Sequence, residues 1–178
     1  MSTTRTWTEE ELMALPEDGY KRELVDGEIV VSPAGAPHGR VIIALAARLY
    51  SHVDTHGLGH VFDSSTGVWM PSGNLRVPDV TFVSGLRLPA GIPRGFLRVV
   101  PDLVVEVLSP GDSARRIEDK VGEYVEAGVR LVWIIDPEKR RAAAHRSLTD
   151  IQSIGEDGLL DGDDVVPGFR CRLADILG

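Results

Sequence analysis

The sequence predicts an α/β protein, more closely a mixed α+β fold, in which a mixed central β-sheet is flanked by helices and preceded by an N-terminal β-hairpin. Three observations carry that expectation. Asp26-Gly27 lies between two short strand-like runs, a strong type I′ hairpin signal. The stretch from His38 to Asp54 places apolar residues at 41, 42, 45, 49 and 53, which is helical spacing. The middle of the chain reads strand, helix, strand, and such a unit with hairpins at either side builds a mixed sheet covered by helices.

Taken in order, Thr8-Glu-Glu-Glu11 forms a capping box, with Trp7 and Leu12 placed as a hydrophobic staple. It predicts a short helix over 9–15, ended by Pro16. Strands over 21–25 and 28–32 flank the Asp26-Gly27 turn, and Pro33 to Pro37 reads as a loop before the helix at His38–Asp54. From His60 to Met70 the chain has β-rich pieces around Gly67, and Pro71-Ser-Gly73 is a turn. Arg76–Val83 reads as one strand, while Arg87–Arg98, rich in Pro and Gly, reads as a surface loop able to move. Leu103–Leu108 is the clearest strand. It leads into a helix over Ala114–Ala127, stopped by Gly128. A buried strand over Leu131–Ile135, a turn at Asp136-Pro137, a returning strand over Arg141–Arg146 and a short last helix near Leu173 complete the chain.

At 178 residues the chain suits one domain, expected over 1–178. Its 43% apolar and 26% charged residues are ordinary for a soluble globular protein. The longest apolar runs fall far short of the ~20 residues that span a bilayer. No apolar signal core follows the first residues, so the expected location is cytoplasmic. The single cysteine, Cys171, rules out an internal disulfide and a thiolate metal cage, and it reads as a buried small side chain. The net charge of −8 argues against a protein that coats nucleic acid electrostatically. It leaves room for an enzyme acting on nucleic acid, because a metal ion can bring positive charge locally.

Three residues stand out chemically. Glu106 lies inside the apolar run Val104-Val-Glu-Val-Leu108, where an unpaired carboxylate costs several kcal/mol of desolvation. Something cationic must neutralise it, or it must stay protonated; a structural ion pair with an arginine is one answer and a metal ion the other. Asp79, after Pro78, falls by period-2 alternation on the face opposite Val80 and Phe82. It is either a turn aspartate at a strand start or a partner for Glu106. Asp102, in the second Pro-Asp pair, competes for that role, but it falls at the strand mouth and Asp79 is preferred. Lys120 sits at the edge of the helix stripe formed by Ile117, Val121, Tyr124 and Gly128. Its ammonium either snorkels to solvent or turns back toward Glu106. Two carboxylates and an ammonium suit phosphodiester hydrolysis: the acids hold Mg²⁺ or Mn²⁺ through hard oxygens, the metal lowers the pKa of a water, and the lysine offsets developing charge.

Pro78-Asp79, Glu106 between aliphatic residues and a helical lysine resemble the PD-(D/E)xK nuclease superfamily, and most closely its Uma-type restriction-endonuclease branch. The supporting segments are Glu23-Leu-Val-Asp-Gly-Glu28, Pro37-His38, Pro101-Asp-Leu-Val-Val-Glu-Val-Leu-Ser-Pro110, Lys120 with Tyr124, Ala127-Gly-Val129, Trp133-Ile-Ile-Asp-Pro137 and Val166-Pro-Gly-Phe169. Together they span nearly the whole chain. The resemblance implies a restriction-endonuclease-like sheet and a metal-dependent endonuclease, with DNA a more natural substrate than RNA. Asp79 and Glu106 would bind metal, Lys120 would assist, and Glu23 and His38 would support them. One departure is that Leu108 stands where the superfamily places a strand lysine, so Lys120 would be the replacement from the next helix. For Glu23 a structural salt bridge, and for His38 a helix-capping or solvated role, remain the alternatives. Histidines 52, 56, 60 and 145 show no ligand spacing, which disfavours zinc. A homodimer is expected, because one domain of this size has little surface with which to grip a duplex. Two other readings stay open: a catalytically inactive nuclease fold kept as a binding module, and a hydrolase of a smaller phosphoester.

Overall fold

A computed structural model describes residues 7–16, 20–32 and 35–178. Helix α1 (Glu9–Met13) starts at the predicted capping box: the Glu11 N–H donates to the Thr8 hydroxyl at 3.2 Å, and the Thr8 N–H donates to the Glu11 carboxylate at 3.0 Å. It stops at Met13 instead of Leu15, before Pro16 is reached. Strands β1 (Lys21–Val25) and β2 (Glu28–Ser32) pair antiparallel around a turn with Asp26 at φ 51° and Gly27 at φ 84°. Two successive positive φ values define the type I′ geometry that the Asp-Gly pair foretells.

Helix α2 (Ala36–Thr55) begins earlier than the apolar period suggests, with Pro37 in its first turn, where a missing N–H breaks no helical hydrogen bond. The predicted loop over 33–37 therefore shrinks; positions 33 and 34 lie outside the described residues. Val41, Ile42, Leu45, Leu49 and Val53 are all buried, as the spacing requires. Strands β3 (Gly59–Phe62) and β4 (Val68–Trp69) follow. The single strand expected over 76–83 is in fact two: β5 (Leu75–Arg76) and β6 (Val80–Ser84). Pro78 supplies no N–H for a ladder, so the pairing breaks there and the chain passes from one sheet to another.

Strand β7 (Leu103–Val107), helix α3 (Ala114–Ala127) and strand β8 (Leu131–Asp136) form the central crossover, with β7 and β8 parallel. Strands β9 (Arg141–His145) and β10 (Ile151–Gly155) extend the sheet, β11 (Leu159–Asp161) and β12 (Arg170–Arg172) form a ribbon, and α4 (Ala174–Leu177) closes the chain. The six-stranded sheet runs β10-β9-β8-β7-β6-β3, and a four-stranded sheet runs β2-β1-β5-β4.

Both faces of the larger sheet are covered. Leu103, Val105 and Val107 point into one core with Leu45, Leu49, Trp133 and Ile135, beneath α2. Val104 points into the other, with Val121, Tyr124, Val132 and Ile134, beneath α3. A strand sandwiched in this way reads as one continuous aliphatic run, which makes the carboxylate in its middle conspicuous. The loop over 87–98 is largely exposed, but its end is pinned: Leu97 is buried, and the Glu9 carboxylate accepts the Phe96 N–H at 3.0 Å and pairs with Arg98.

Gly128 caps α3 with φ 97°, and its N–H returns to Tyr124 and Val125 carbonyls. A side chain in that left-handed conformation costs roughly 1–2 kcal/mol. Gly128→Ala is expected to lower the melting temperature by about 2–8 °C, read by calorimetry, for a chain of this length.

Candidate active site

The site arises from strand register. Strands β6 and β7 pair antiparallel with Val80 opposite Val105, and the Asp79 N–H donates to the Val105 carbonyl at 3.0 Å. Asp79 lies just outside that register and close to Glu106, near enough for one lysine to reach both. Their side chains share the α3 face, because alternation sends Val80, Phe82 and Val105 the other way. Like charges this close on one sheet face repel, and here both are buried.

Cations from three other elements answer them. At the first position of β1, Lys21 donates to Asp79 Oδ1 at 2.7 Å, and the same ammonium lies 4.0 Å from Glu106 Oε2. From the first turn of α2, His38 Nε2 is 3.2 Å from Asp79 Oδ2, and the Val107 N–H donates to that same oxygen at 2.7 Å. From α3, Lys120 donates to Glu106 Oε1 at 3.1 Å and the Tyr124 hydroxyl donates to it at 2.6 Å. Lys120 also lies 3.1 Å from Glu23 Oε1.

Glu23 sits behind this group. It accepts the Val77 N–H at 3.0 Å and faces Arg76 at 3.4 Å. Arg76 in turn binds Glu123 of α3 at 2.5 Å, and Glu123 accepts from Asn74 at 2.7 Å and from the Ser72 hydroxyl. This chain of pairs ties the small sheet to α3 at the level of Lys120.

The two neighbouring carboxylates differ electrostatically. Burial pushes Asp79 upward, but the His38 hydrogen bond and the Lys21 ammonium outweigh it and hold its carboxyl at about 2. Burial dominates at Glu106, whose carboxyl is raised despite Lys120 and Lys21. Burial would lower Lys120, yet Glu106 and Glu23 keep it at about 12. The Asp79 hydrogen bond raises His38, and Glu23, against its burial, is lowered by Lys120 and the Val77 N–H. Two acids with their proton affinities pulled apart are the usual sign of divided chemical roles.

Asp79, Glu106, Lys120 and His38 all line one cleft of about 680 Å³, together with Lys21 and Arg116. The structure thus brings together the five residues singled out in the sequence, four on the cleft and Glu23 beneath it. Asp102 lies elsewhere: it accepts the Ser84 N–H at 2.8 Å and pairs with Arg87 at 3.2 Å, a structural knot at the far end of β7. Cys171 is buried. Sequence reasoning missed Lys21, the Tyr124 hydroxyl and the Arg76–Glu123 pair. Lys21 shares a strand face with Glu23 by simple alternation, a signal that was there to be used.

Among the described residues no group of three or more His, Cys, Asp or Glu could hold a metal ion. Two carboxylates nevertheless suit Mg²⁺, which is commonly held by one or two acids and completes its shell with water and substrate phosphate. Both acids present buried, hard anionic oxygens to one cleft, so the donor set fits a hard divalent cation.

Two measurements probe this electrostatic arrangement. A carboxyl depressed from 3.8 to about 2 contributes stability above its ordinary value and loses it as pH falls between the two. The stability advantage of the wild type over Asp79→Asn is expected to shrink by about 2 kcal/mol across that window, read by urea denaturation. Tyr124→Phe strips a buried carboxylate of a donor and is expected to cost about 1–3 kcal/mol at neutral pH.

Comparison with known proteins agrees with the fold. A crystal structure described as "a putative nuclease belonging to DUF820", from Anabaena variabilis ATCC 29413, has the same fold with a TM-score of 0.83. It is 19% identical, and the alignment covers 97% of this chain and 98% of that one. No curated protein matches the chain. No helix of the described residues is long and apolar enough to cross a membrane. Residues 9–174 match the model of the family Uma2, described as "Putative restriction endonuclease", and the chain belongs to that family.

Proposed function

We propose that this protein is a Mg²⁺- or Mn²⁺-dependent endonuclease that hydrolyses phosphodiester bonds of DNA, with Asp79 and Glu106 as the metal ligands. The observation that carries the reading is the pair of buried carboxylates brought close together by β6 and β7 and sharing one cation. A divalent cation there would supply Lewis-acid stabilisation of the phosphate and a more acidic water.

The chain's own residues divide the remaining work. Asp79 is ionised at any physiological pH and offers a fixed anionic oxygen. Glu106, held by Tyr124 and Lys120, keeps one oxygen toward Lys21 and the other toward α3. Lys120, cationic throughout, offsets charge that develops on phosphate oxygens. His38 lines the same cleft and, through Nε2, holds Asp79 Oδ2 in place. Glu23 is a positioning residue, holding Lys120 from behind. The enzyme acts in this reading as a cytoplasmic homodimer, the second copy enlarging the surface that meets a duplex.

The family and the fold support a nuclease. The competing reading, an inactive binding module, draws on one observation: every acid at the site already has a lysine against it. Incubation with a broad DNA panel separates the two. Cleavage is expected with Mg²⁺ or Mn²⁺ and not with EDTA, and Asp79→Asn or Glu106→Gln is expected to lower the rate by about 10²–10³-fold while circular dichroism stays native. Retention of DNA binding without any cleavage would favour the binding module.

A further inference from the structure

The first residue of β1 holds a position that the proposed chemistry needs for something else. The Lys21 ammonium is 2.7 Å from Asp79 Oδ1 and 4.0 Å from Glu106 Oε2, so it bridges the two neighbouring acids on the sheet. Lys120 is placed differently, wedged between Glu23 and Glu106 at 3.1 Å from each. Lys21 stands at a strand end on a flexible four-carbon stem, and it lines the cleft.

We propose that Lys21 is a built-in counter-ion occupying the seat between Asp79 and Glu106, and that a divalent cation loads only by displacing its ammonium. This rests on the proposed function and adds a gating residue to it. In the unloaded protein Lys21 neutralises a carboxylate pair that would otherwise repel. Two cations cannot share that space, because an ammonium a few Å from a divalent ion is strongly repelled where screening by water is poor. Loading therefore swings Lys21 into the cleft, and weak metal affinity is the cost of a stable unloaded site.

The test measures Mn²⁺ affinity by calorimetry on the full chain. Lys21→Met removes the competitor and is expected to bind Mn²⁺ about tenfold more tightly or better. Arg116→Met removes a charge from the same cleft but not from the seat, and is expected to stay within about twofold, which separates displacement from a general field effect. A second measurement needs no variant. The chain has three lysines, and Lys139 is exposed and serves as internal reference. Amine acylation followed by mass spectrometry is expected to label Lys21 faster when Mn²⁺ is added, with Lys139 unchanged. If Lys21→Met does not fold, this labelling decides alone. Mn²⁺ binding with no gain in Lys21→Met, or with Lys21 labelling unaltered, overturns the displacement and leaves the proposed function standing. Absence of Mn²⁺ binding in wild type and both variants overturns the two together.

Discussion

Two carboxylates placed close together on a covered sheet face are the constraint from which the rest of the site follows. Antiparallel pairing of β6 with β7 sets Asp79 against Glu106, and packing by α3 denies both the water that would screen them. Such a pair persists only if positive charge is brought to it or one member holds its proton. The fold brings that charge from three directions: the N-terminal hairpin with Lys21, the start of α2 with His38, and the middle of α3 with Lys120. None of the three is near Asp79 in sequence. The site is therefore a product of tertiary structure, and its integrity depends on how firmly each element is held.

The supporting contacts show where that firmness comes from. Arg76 joins Glu23 of β1 to Glu123 of α3, and Glu123 also takes Asn74 and Ser72. Helix α3 is thereby fixed to the small sheet on its polar side while Val121 and Tyr124 fix it to the large sheet on its apolar side. Lys120 lies where the two attachments meet. A lysine on an exposed helix face would snorkel to water, but here the stem is enclosed and two carboxylates receive the head.

Local periodicity was enough to read the hairpin turn, the buried stripe of α2 and the α3 boundaries from Ser113 to Gly128, because each depends on residues a few positions apart. The acids were also readable, since a charge inside an aliphatic strand is an anomaly at the level of sequence. The break at Pro78 was not read, although the proline was in view, because an alternating run on both sides disguised the change of sheet. Lys21 escaped for a different reason. Alternation puts it on the Glu23 face of β1, but which groups it meets there is set by β1 pairing with β5 and by β6 beside β7, and those pairings cannot be deduced from one chain without contacts. Asp102 and Asp79 both follow a proline; its place at the strand mouth sets Asp102 apart in the sequence, and the structure pairs it with Arg87 away from the cleft.

The acidity of the whole chain and the character of the cleft also need to be reconciled. A net charge of −8 disfavours loose association with polyphosphate, yet Lys21, His38, Arg40, Arg116 and Lys120 all line one cavity. Field lines from clustered cations focus within a low-dielectric cleft, while the surrounding acids repel phosphate everywhere else. A molecule so charged is not built to coat nucleic acid; in the proposed function it would admit a phosphate at one place. Affinity would then come from the bound metal and the few cleft cations rather than from a broad basic face, which is the distribution expected of a catalyst that must release its product.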